Sequence, residues 1–203
     1  MPKIILIGSG GHARSCIDVI EKSGKYKIAG LIEKKDNRKK ENLSYKIIGT
    51  DDDLVNLRKK FSYAIITIGQ ITSAETRVRL YKKLKRLKFE LPTIISPKAY
   101  VSSYAKIGDG TIIFHNSIVN ANSKIGNNCI INNKALIEHD VTIGDHTHIA
   151  TGAIINGDVS IGSKTFIGSG VITKQSVIIG DDCVIGAGVV VRKNILSNQF
   201  IKH

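Results

Sequence analysis

One short segment of the chain concentrates side chains that can exchange protons. Glu138, His139 and Asp140 are consecutive, and His146 and His148 follow closely. Histidine titrates near neutral pH, and an adjacent carboxylate can orient its ring and raise its basicity, a role open to either neighbour of His139. We interpret His139 as a general base, assisted by Glu138, that takes a proton from an amine or hydroxyl attacking a thioester.

A repeat must position these residues. From residue 95 to residue 191 every sixth residue is Ile or Val, apart from Thr173, and the residue two before it is Ala, Ser, Thr, Cys or Val. An inward pair of one small and one large residue makes a short strand and then a corner, so three hexads make one triangular coil. The pattern predicts a parallel β-helix over residues 97–203. Its period is marked by Ile-Gly at 107–108, 125–126, 143–144, 161–162 and 179–180.

The repeat also predicts where the proton-exchanging residues lie. Because Ile137 points inward, Glu138 and His139 fall on the corner that follows it. Ala121 and Gly157 stand one coil before and one coil after His139, so small residues flank the ring and leave space for a substrate. The glycine after each inward Ile is expected to adopt a positive φ at the corner.

The prism predicts an oligomer and leaves a metal site as an alternative. A single prism exposes apolar sheet faces, which side-by-side association covers, so we expect a homotrimer. Zinc on such a prism needs three histidines converging across subunits, and His139, His146 and His148 could supply them. The close histidine pair with four residues between, which such zinc sites use, is missing, so we predict no metal.

Residues 1–96 are predicted to form a small α/β domain with a Rossmann-like parallel sheet. Its elements follow from apolar runs and helix-start signals, including a capping box from Thr72 to Glu75. We predict strands at 3–7, 28–32, 63–68 and 91–95, and helices at 12–23, 51–60 and 72–87. Pro97 marks the entry to the β-helix.

The loop of residues 8–11 separates the first strand from the first helix. Its glycines and the helix N-terminus can hold a phosphate through backbone N–H groups. The loop is not a full G-x-G-x-x-G motif, and Arg14 fills a place that would need to be small near a pyrophosphate. A mononucleotide is therefore the expected ligand, with Glu33 near its ribose or base; a plain tight turn is the alternative.

Charge and cysteine content narrow the classes of function. The chain carries a net charge of +13, and residues 1–97, with 21 basic and 10 acidic residues, account for +11 of it. The basic run at 77–88 is either a solvated helix face or a surface that attracts a sugar diphosphate. No aromatic residues alternate with it as a nucleic-acid platform requires, so no nucleic acid is expected.

Cys16, Cys129 and Cys183 are odd in number, which favours three reduced thiols in a cytoplasmic protein. The sequence contains no eighteen-residue apolar run, and its first residues do not resemble a signal peptide, so no membrane insertion is expected.

The combination of features resembles the NeuD-type sugar acetyltransferases, and within them the bacterial nucleotide-4-amino-sugar N-acetyltransferases. The resemblance rests on the strand–GSGGH–helix start, the Ile-Gly repeat, and residues 135–140 with Ile143-Gly-Asp and His148. It covers nearly the whole chain. It implies a left-handed β-helix, a trimer whose clefts hold the coenzyme, and acetyl-CoA as co-substrate.

The resemblance also implies residue roles. His139 is the general base, preceded by the acidic Glu138. The coenzyme is expected near His148, Gly157, Ser169 and Ala187. The nucleotide sugar is expected at Gly8, Gly10, Gly11, His12, Glu33, Gly69 and Gln70.

Two departures from the family pattern bear on these roles. Glu33 is followed by Lys34 where a second acidic residue is usual, and the G-x-P-A-K tail near the coenzyme is missing. Arg192 and Lys193 are candidates to replace the tail.

The predicted activity is acetyl-CoA-dependent N-acetylation of the 4-amino group of a UDP- or GDP-linked 4-amino-4,6-dideoxy sugar, for surface glycan or glycoprotein biosynthesis. Two alternatives remain open. The first is an O-acetyltransferase of a sialic-acid-like sugar, which needs no nucleotide pocket. The second is a non-enzymatic trimeric scaffold, which turns over no thioester.

Overall fold

The N-terminal strands form a five-stranded sheet. The computed structural model describes residues 1–34 and 41–202. The strands are β1 Lys3–Ile7, β2 Lys27–Ile32, β3 Glu41–Asn42, β4 Tyr45–Gly49 and β5 Tyr63–Ile66. They lie in the order β3-β4-β2-β1-β5, and all neighbours are parallel except β3 and β4. The β3–β4 pair is not among the predicted strands: β3 has two residues, and no residue of β4 is buried, so neither strand has the buried apolar run that marks β1.

Helices cover the faces of this sheet. They are α1 Gly11–Ser23, α2 Leu54–Arg58 after a 3₁₀ turn at Asp51–Asp53, and α3 Glu75–Arg86. The predicted capping box at Thr72 does not form, since α3 begins after Ala74 without a side-chain cap. The capping box that does form joins Thr50 and Asp53.

The β-helix consists of two-residue strands in three parallel sheets. The junction sheet, which faces the N-terminal domain, contains Ile94–Ile95, Ile112–Ile113, Ile130–Ile131, His148–Ile149, Phe166–Ile167, Val184–Ile185 and Phe200–Ile201. The apolar sheet contains Tyr100–Val101, Ile118–Val119, Leu136–Ile137, Ile154–Ile155, Ile172–Thr173 and Val190–Val191. The polar sheet contains Lys106–Ile107, Lys124–Ile125, Thr142–Ile143, Ser160–Ile161 and Ile178–Ile179.

The predicted last strand of the N-terminal domain belongs to this second body. Ile94 and Ile95 pair with Ile112 and Ile113 in the junction sheet, and only Glu90 bridges back to the N-terminal sheet. The architecture is thus the predicted α/β domain followed by a left-handed parallel β-helix. The predicted boundary between residues 96 and 97 stays a prediction.

The inward columns of the prism are the predicted ones. The column of large residues, which repeats every six positions from 95 to 191, is buried along the stack. The column of small residues, each two positions before a large one, is buried with it. Polar members of the small column bond to the next coil, as when the Thr147 hydroxyl donates to the Gly162 carbonyl at 2.8 Å. The exception among the large residues, Thr173, is fully buried, and its hydroxyl oxygen accepts a hydrogen bond from the backbone N–H of Asn156 at 3.0 Å.

The corners differ from the prediction. Positive φ occurs three residues after each large inward residue, in every hexad from Gly110 to Gly188, and not at the Ile-Gly glycines. A Cβ on Gly108, Gly126, Gly144, Gly162 or Gly180 would come within 2.4–2.7 Å of backbone atoms in the next coil. These glycines are therefore required for close stacking of the backbone, a constraint that follows from the coil pitch and not from φ.

The two bodies share one apolar core. Outward residues of the junction sheet, Ile94, Ile112 and Ile130, pack with α1 and β1 residues in one buried cluster. His115 adds polar contacts, to Asp18 of α1 at 2.7 Å and to the Ser96 hydroxyl at 2.6 Å. The N-terminal domain is therefore fixed against one sheet of the prism.

Candidate active site

His139 is held at its corner by a chain of hydrogen bonds. It follows the apolar-sheet strand Leu136–Ile137, and its side chain is 57% exposed. Its Nδ1 lies 2.7 Å from Oδ2 of Asp140, and Oδ1 of Asp140 accepts from the Asn122 amide at 2.6 Å. The carboxylate accordingly favours the tautomer with the proton on Nδ1, which leaves Nε2 able to accept a proton. Among the described residues Nε2 has no hydrogen-bond partner.

The charges around His139 favour a proton acceptor. The hydrogen bond that His139 donates to the Asp140 carboxylate is the main cause that raises the pKa of His139. The pKa of Asp140 is lowered, first by the Asn122 amide and then by His139. Asp140 thus stays ionised when the imidazole takes up a proton, as a base–orienter pair requires.

Small residues leave room beside this ring. A Cβ on Gly157 would lie 2.8 Å from Cε1 and 2.9 Å from Nε2 of His139. The Gly157 corner is itself fixed, because the Asn156 side chain donates to the Thr173 carbonyl at 2.6 Å. The absence of a side chain at residue 157 therefore opens the space next to the basic nitrogen.

Glu138 lies away from the ring that we expected it to assist. Its Oε2 accepts from the Asn120 amide at 2.9 Å, and it makes no hydrogen bond to His139. The reason is the corner geometry: Asp140 adopts a positive φ of 62°, which turns its side chain toward the ring. The partner of His139 in the structure is therefore Asp140.

The predicted sugar-nucleotide residues surround one cleft. Six of the seven line a cavity of about 360 Å³ between the β1–α1 loop and the end of β5: Gly8, Gly10, Gly11, His12, Glu33 and Gly69. A Cβ at Gly8 would lie 2.5 Å from Cγ1 of Ile68, and its φ is +113°, so Gly8 permits both the turn and the close approach. Gly10 has open space where a side chain would project.

Two side chains tie this loop to its neighbours. Oε2 of Glu33 accepts from the Ser9 amide at 3.0 Å and from the Ser9 hydroxyl. The Asn42 side chain donates to the carbonyls of Ser9 and Gly10, at 2.6 and 3.0 Å. Sequence reasoning missed Asn42, since nothing in the pattern of β3 relates it to a loop 32 residues away.

His12 lies at the inner end of the cleft. Its ring packs against Phe114 with centroids 5.4 Å apart, and its Nε2 is buried without a hydrogen-bond partner. Burial, followed by the charge of Arg77, lowers the pKa of His12 to about 3. His12 is therefore neutral at physiological pH, and its buried Nε2 has no partner among the described residues.

The structure places Gln70 and His148 together, in the junction between the two bodies. Nδ1 of His148 lies 2.7 Å from the Gln70 carbonyl oxygen, and the Gln70 side chain donates to the Lys164 carbonyl at 3.0 Å. Burial lowers the pKa of His148 to about 4. Neither residue is beside His139 of the same chain: Gln70 anchors the loop after β5, and His148 packs against Phe166.

The other predicted coenzyme residues divide between two corners. Ser169 and Ala187 are exposed and stack on the corner after the junction sheet, whereas Gly157 stacks on the corner of His139. His146 is buried against Tyr81 and so faces neither group. Among residues 1–34 and 41–202 no three metal-ligating side chains converge. A larger groove, of about 620 Å³ beside α3, contains none of the predicted site residues.

Family comparisons match both parts of the chain. The PglD N-terminal domain family matches residues 3–84. The bacterial transferase hexapeptide family matches residues 104–139 and 122–157, and the hexapeptide repeat of succinyl-transferase matches 158–193. Sequence comparison with curated proteins finds no match.

Solved structures match over almost the whole chain. A histidine-to-asparagine variant of perosamine N-acetyltransferase from Caulobacter crescentus, in complex with CoA and GDP-perosamine, has a TM-score of 0.92 and 29% identity over 98% of this chain and 93% of that one. The acetyltransferase domain of PglB from Neisseria gonorrhoeae, in complex with acetyl coenzyme A, has a TM-score of 0.87 and 28% identity over 96% and 92%. WeeI from Acinetobacter baumannii, with a TM-score of 0.85 and 21% identity over 100% and 97%, supports the fold alone.

The left-handed β-helix and its hexapeptide-family matches define an acyltransferase of the hexapeptide-repeat class. With the PglD-type N-terminal domain in front of that helix, the chain is a NeuD-type sugar acetyltransferase.

We expect Asp140→Asn to shift the acidic limb of the pH profile of kcat/KM to lower pH. His139 must be neutral to act as a base, and losing the Asp140 carboxylate lowers its raised pKa. We also expect kcat to fall about tenfold or more, a part of the 10²–10⁴ that a general base contributes. Asparagine tolerates the positive φ, so the corner should persist.

Glu138→Gln is the matched control, because it neutralises the other carboxylate beside the same histidine. We expect it to move the acidic limb much less. A larger shift in Glu138→Gln than in Asp140→Asn would assign the supporting role to Glu138.

Proposed function

We propose that this enzyme transfers the acetyl group of acetyl-CoA to the 4-amino group of a nucleotide-linked 4-amino-4,6-dideoxy sugar. The observation that carries the proposal is the pair of sites: a base at a β-helix corner and a phosphate-type loop in a cleft of the N-terminal domain. Solved relatives that share 28–29% identity over nearly the whole chain bind CoA and GDP-perosamine, or acetyl coenzyme A.

In the proposed reaction, His139 removes a proton from the amine as its nitrogen attacks the thioester carbonyl of acetyl-CoA. The new bond is C–N and the bond that breaks is C–S; the CoA sulfur takes the proton back from the His139 imidazolium and leaves as the thiol. Asp140 keeps the ring oriented and stabilises the imidazolium that forms. The space beside Gly157 admits the thioester end of the coenzyme.

We propose that each active site uses two chains. The cleft of residues 8–12 lies over the junction sheet, and His139, which does not line it, lies beside the apolar sheet. A sugar held in the cleft therefore meets the base of a neighbouring copy. In that arrangement His12 and His148 belong to the chain that binds the nucleotide. Ser169 and Ala187 border the coenzyme at the corner after the junction sheet, and Gly157 borders it at the corner of His139.

The surface that supports a homotrimer is the outer face of the apolar sheet. Its outward residues form an unbroken apolar ladder: Tyr100, Ile118, Leu136, Ile154, Ile172 and Val190. Four of them are exposed, by 39–60%. The equivalent positions of the polar sheet are Lys106, Lys124, Thr142, Ser160 and Ile178. Of the two sheets that do not face the N-terminal domain, the apolar sheet is therefore the one whose outer face we expect another copy to cover.

A cytoplasmic location belongs to the same proposal. Cys16, Cys129 and Cys183 are buried free thiols, and free thiols are usual in reducing compartments. Among the described residues no helix has the length and apolar composition to cross a membrane.

We expect Gly10→Val to raise the KM for the nucleotide sugar at least tenfold, while the KM for acetyl-CoA stays nearly unchanged. The new side chain would project into the cleft, where no atom lies within 4 Å, so it should displace ligand and not protein. Steady-state release of CoA thiol with a panel of UDP- and GDP-linked amino sugars measures both constants.

Gly10→Ala, with a much smaller side chain, is the graded control and should have a smaller effect. If free amino sugars are as good substrates as the nucleotide-linked ones, or Gly10→Val is neutral, the O-acetyltransferase alternative becomes the better interpretation. Failure of every sugar to release thiol would favour the scaffold.

A further inference from the structure

We propose that Arg77 is the positioning residue of the sugar-nucleotide cleft: its buried guanidinium braces the cleft floor and supplies a positive charge whose counterion is the ligand's diphosphate. The proposal rests on the function proposed above. Arg77 is the first residue of the basic run at 77–88, for which the sequence left open a solvated helix face or attraction of a sugar diphosphate, and it has no part in the proposed reaction.

Arg77 is buried without a carboxylate partner. It is 2% exposed, and no ion pair among the described residues involves it. Its Nη1 donates to the Ile68 carbonyl at 2.6 Å, and its Nη2 donates to the carbonyl and the side-chain oxygen of Asn128. Burial lowers the pKa of Arg77 to about 10, so the group is still charged at neutral pH.

An unpaired buried charge is costly. The guanidinium links the segment after β5 to a β-helix corner with three hydrogen bonds, to Ile68 and twice to Asn128. These carbonyl and amide oxygens are neutral, so they leave the positive charge without a counterion, and an anionic ligand in the adjacent cleft can supply one.

The charge lies directly behind the cleft. Ile68, whose carbonyl Arg77 holds, lines the cavity and packs against Gly8, and Thr76 next to Arg77 also lines it. Arg77 is near enough to lower the pKa of both His12 and His148, after the larger effect of burial. The guanidinium thus acts electrostatically on groups at the inner end of the cleft.

The walls of the cleft do not by themselves supply a net positive charge for a diphosphate. Glu33 and Lys34 both line the cavity, so its rim carries one charge of each sign, and Oε2 of Glu33 occupies the Ser9 amide that could otherwise bind a phosphate. The buried cation adds positive potential in a region of low dielectric, where it is screened least. The N-terminus of α1 adds to the attraction.

The test compares charged and uncharged ligands by calorimetry on the full-length oligomer. We expect Arg77→Met to weaken binding of GDP and UDP at least tenfold, and binding of guanosine and uridine less than threefold. A purely structural role would weaken nucleoside and nucleoside diphosphate equally. Coenzyme A affinity, measured on the same samples, should stay within twofold of wild type.

Arg86→Met is the matched control, since it removes the same charge from an exposed position of the same helix; it should change each affinity less than twofold. Arg77→Lys is a second variant that keeps the charge, so the proposal remains testable if Arg77→Met does not fold. The affinity of Arg77→Lys for GDP and UDP should be closer to that of wild type than to that of Arg77→Met. Equal affinity of wild type and Arg77→Met for GDP and UDP, or equal losses for nucleoside and diphosphate, would overturn the proposal. Wild-type protein that binds no nucleoside diphosphate would instead refute the proposed function itself.

Discussion

His139→Ala should lower kcat by about 10²–10⁴, the range expected when a general base is removed. The imidazole is the one group at this corner whose pKa is raised and whose Nε2 is open, whereas burial keeps His12 and His148 neutral at pKa values of about 3 and about 4. The side chain is exposed and makes one hydrogen bond, so the fold should survive its loss. Thiol release at saturating acetyl-CoA measures the change.

His115→Ala is the matched control, because His115 stands on the same hexad position as His139, two residues after a large inward Ile. Its contacts to Asp18 and Ser96 are structural, so we expect lower thermal stability and a kcat within threefold of wild type. Turnover of His139→Ala within threefold of wild type would exclude it as the base.

Charged residues on the apolar ladder should abolish both the trimer and the activity. In the double variant Ile118→Glu and Ile172→Glu, two carboxylates replace exposed apolar side chains in the middle of the face that we expect to pack against another copy. Sedimentation should then show monomers at micromolar concentration. The rate of thiol release should fall at least a hundredfold, because each monomer lacks the general base of the neighbouring chain, and such a base raises a rate by about 10²–10⁴. Nucleotide binding, which uses one chain, should persist.

Ile178→Glu provides the control on the polar sheet. Ile178 is also an exposed outward residue of a two-residue strand, so the substitution is chemically the same and differs only in the face that carries it. We expect it to leave the trimer intact. An active double variant, or an active monomer of any kind, would contradict the shared active site.

The repeat was readable from the sequence because each hexad obeys the same local rule. Alternation of inward and outward residues is a property of the strand itself, so the columns that run through Ile137 and Cys129 predict burial without knowledge of the fold. The strand–GSGGH–helix start is equally local, and it contains four of the six predicted residues that line the cleft: Gly8, Gly10, Gly11 and His12. Both follow from periods and loop chemistry within a few residues.

Other features depend on contacts between distant parts of the chain. The sequence places Glu138 and Asp140 equally near His139; the positive φ at Asp140 and the Asn122 amide one coil away decide between them. The Ile-Gly glycines were assigned to φ, whereas the distance between coils is what excludes their side chains.

The sequence by itself determined the β-helix, the α/β domain and the histidine at the corner, because each follows from local periodicity. Only the tertiary structure decided that His148 and Gln70 lie in the junction, that Arg77 is buried behind the cleft, and that the cleft and His139 occupy different faces. The physical reason is that burial and charge pairing depend on which surfaces meet, and the contacts of Gln70 with His148 and of Arg77 with Asn128 form only when the N-terminal domain packs on the prism.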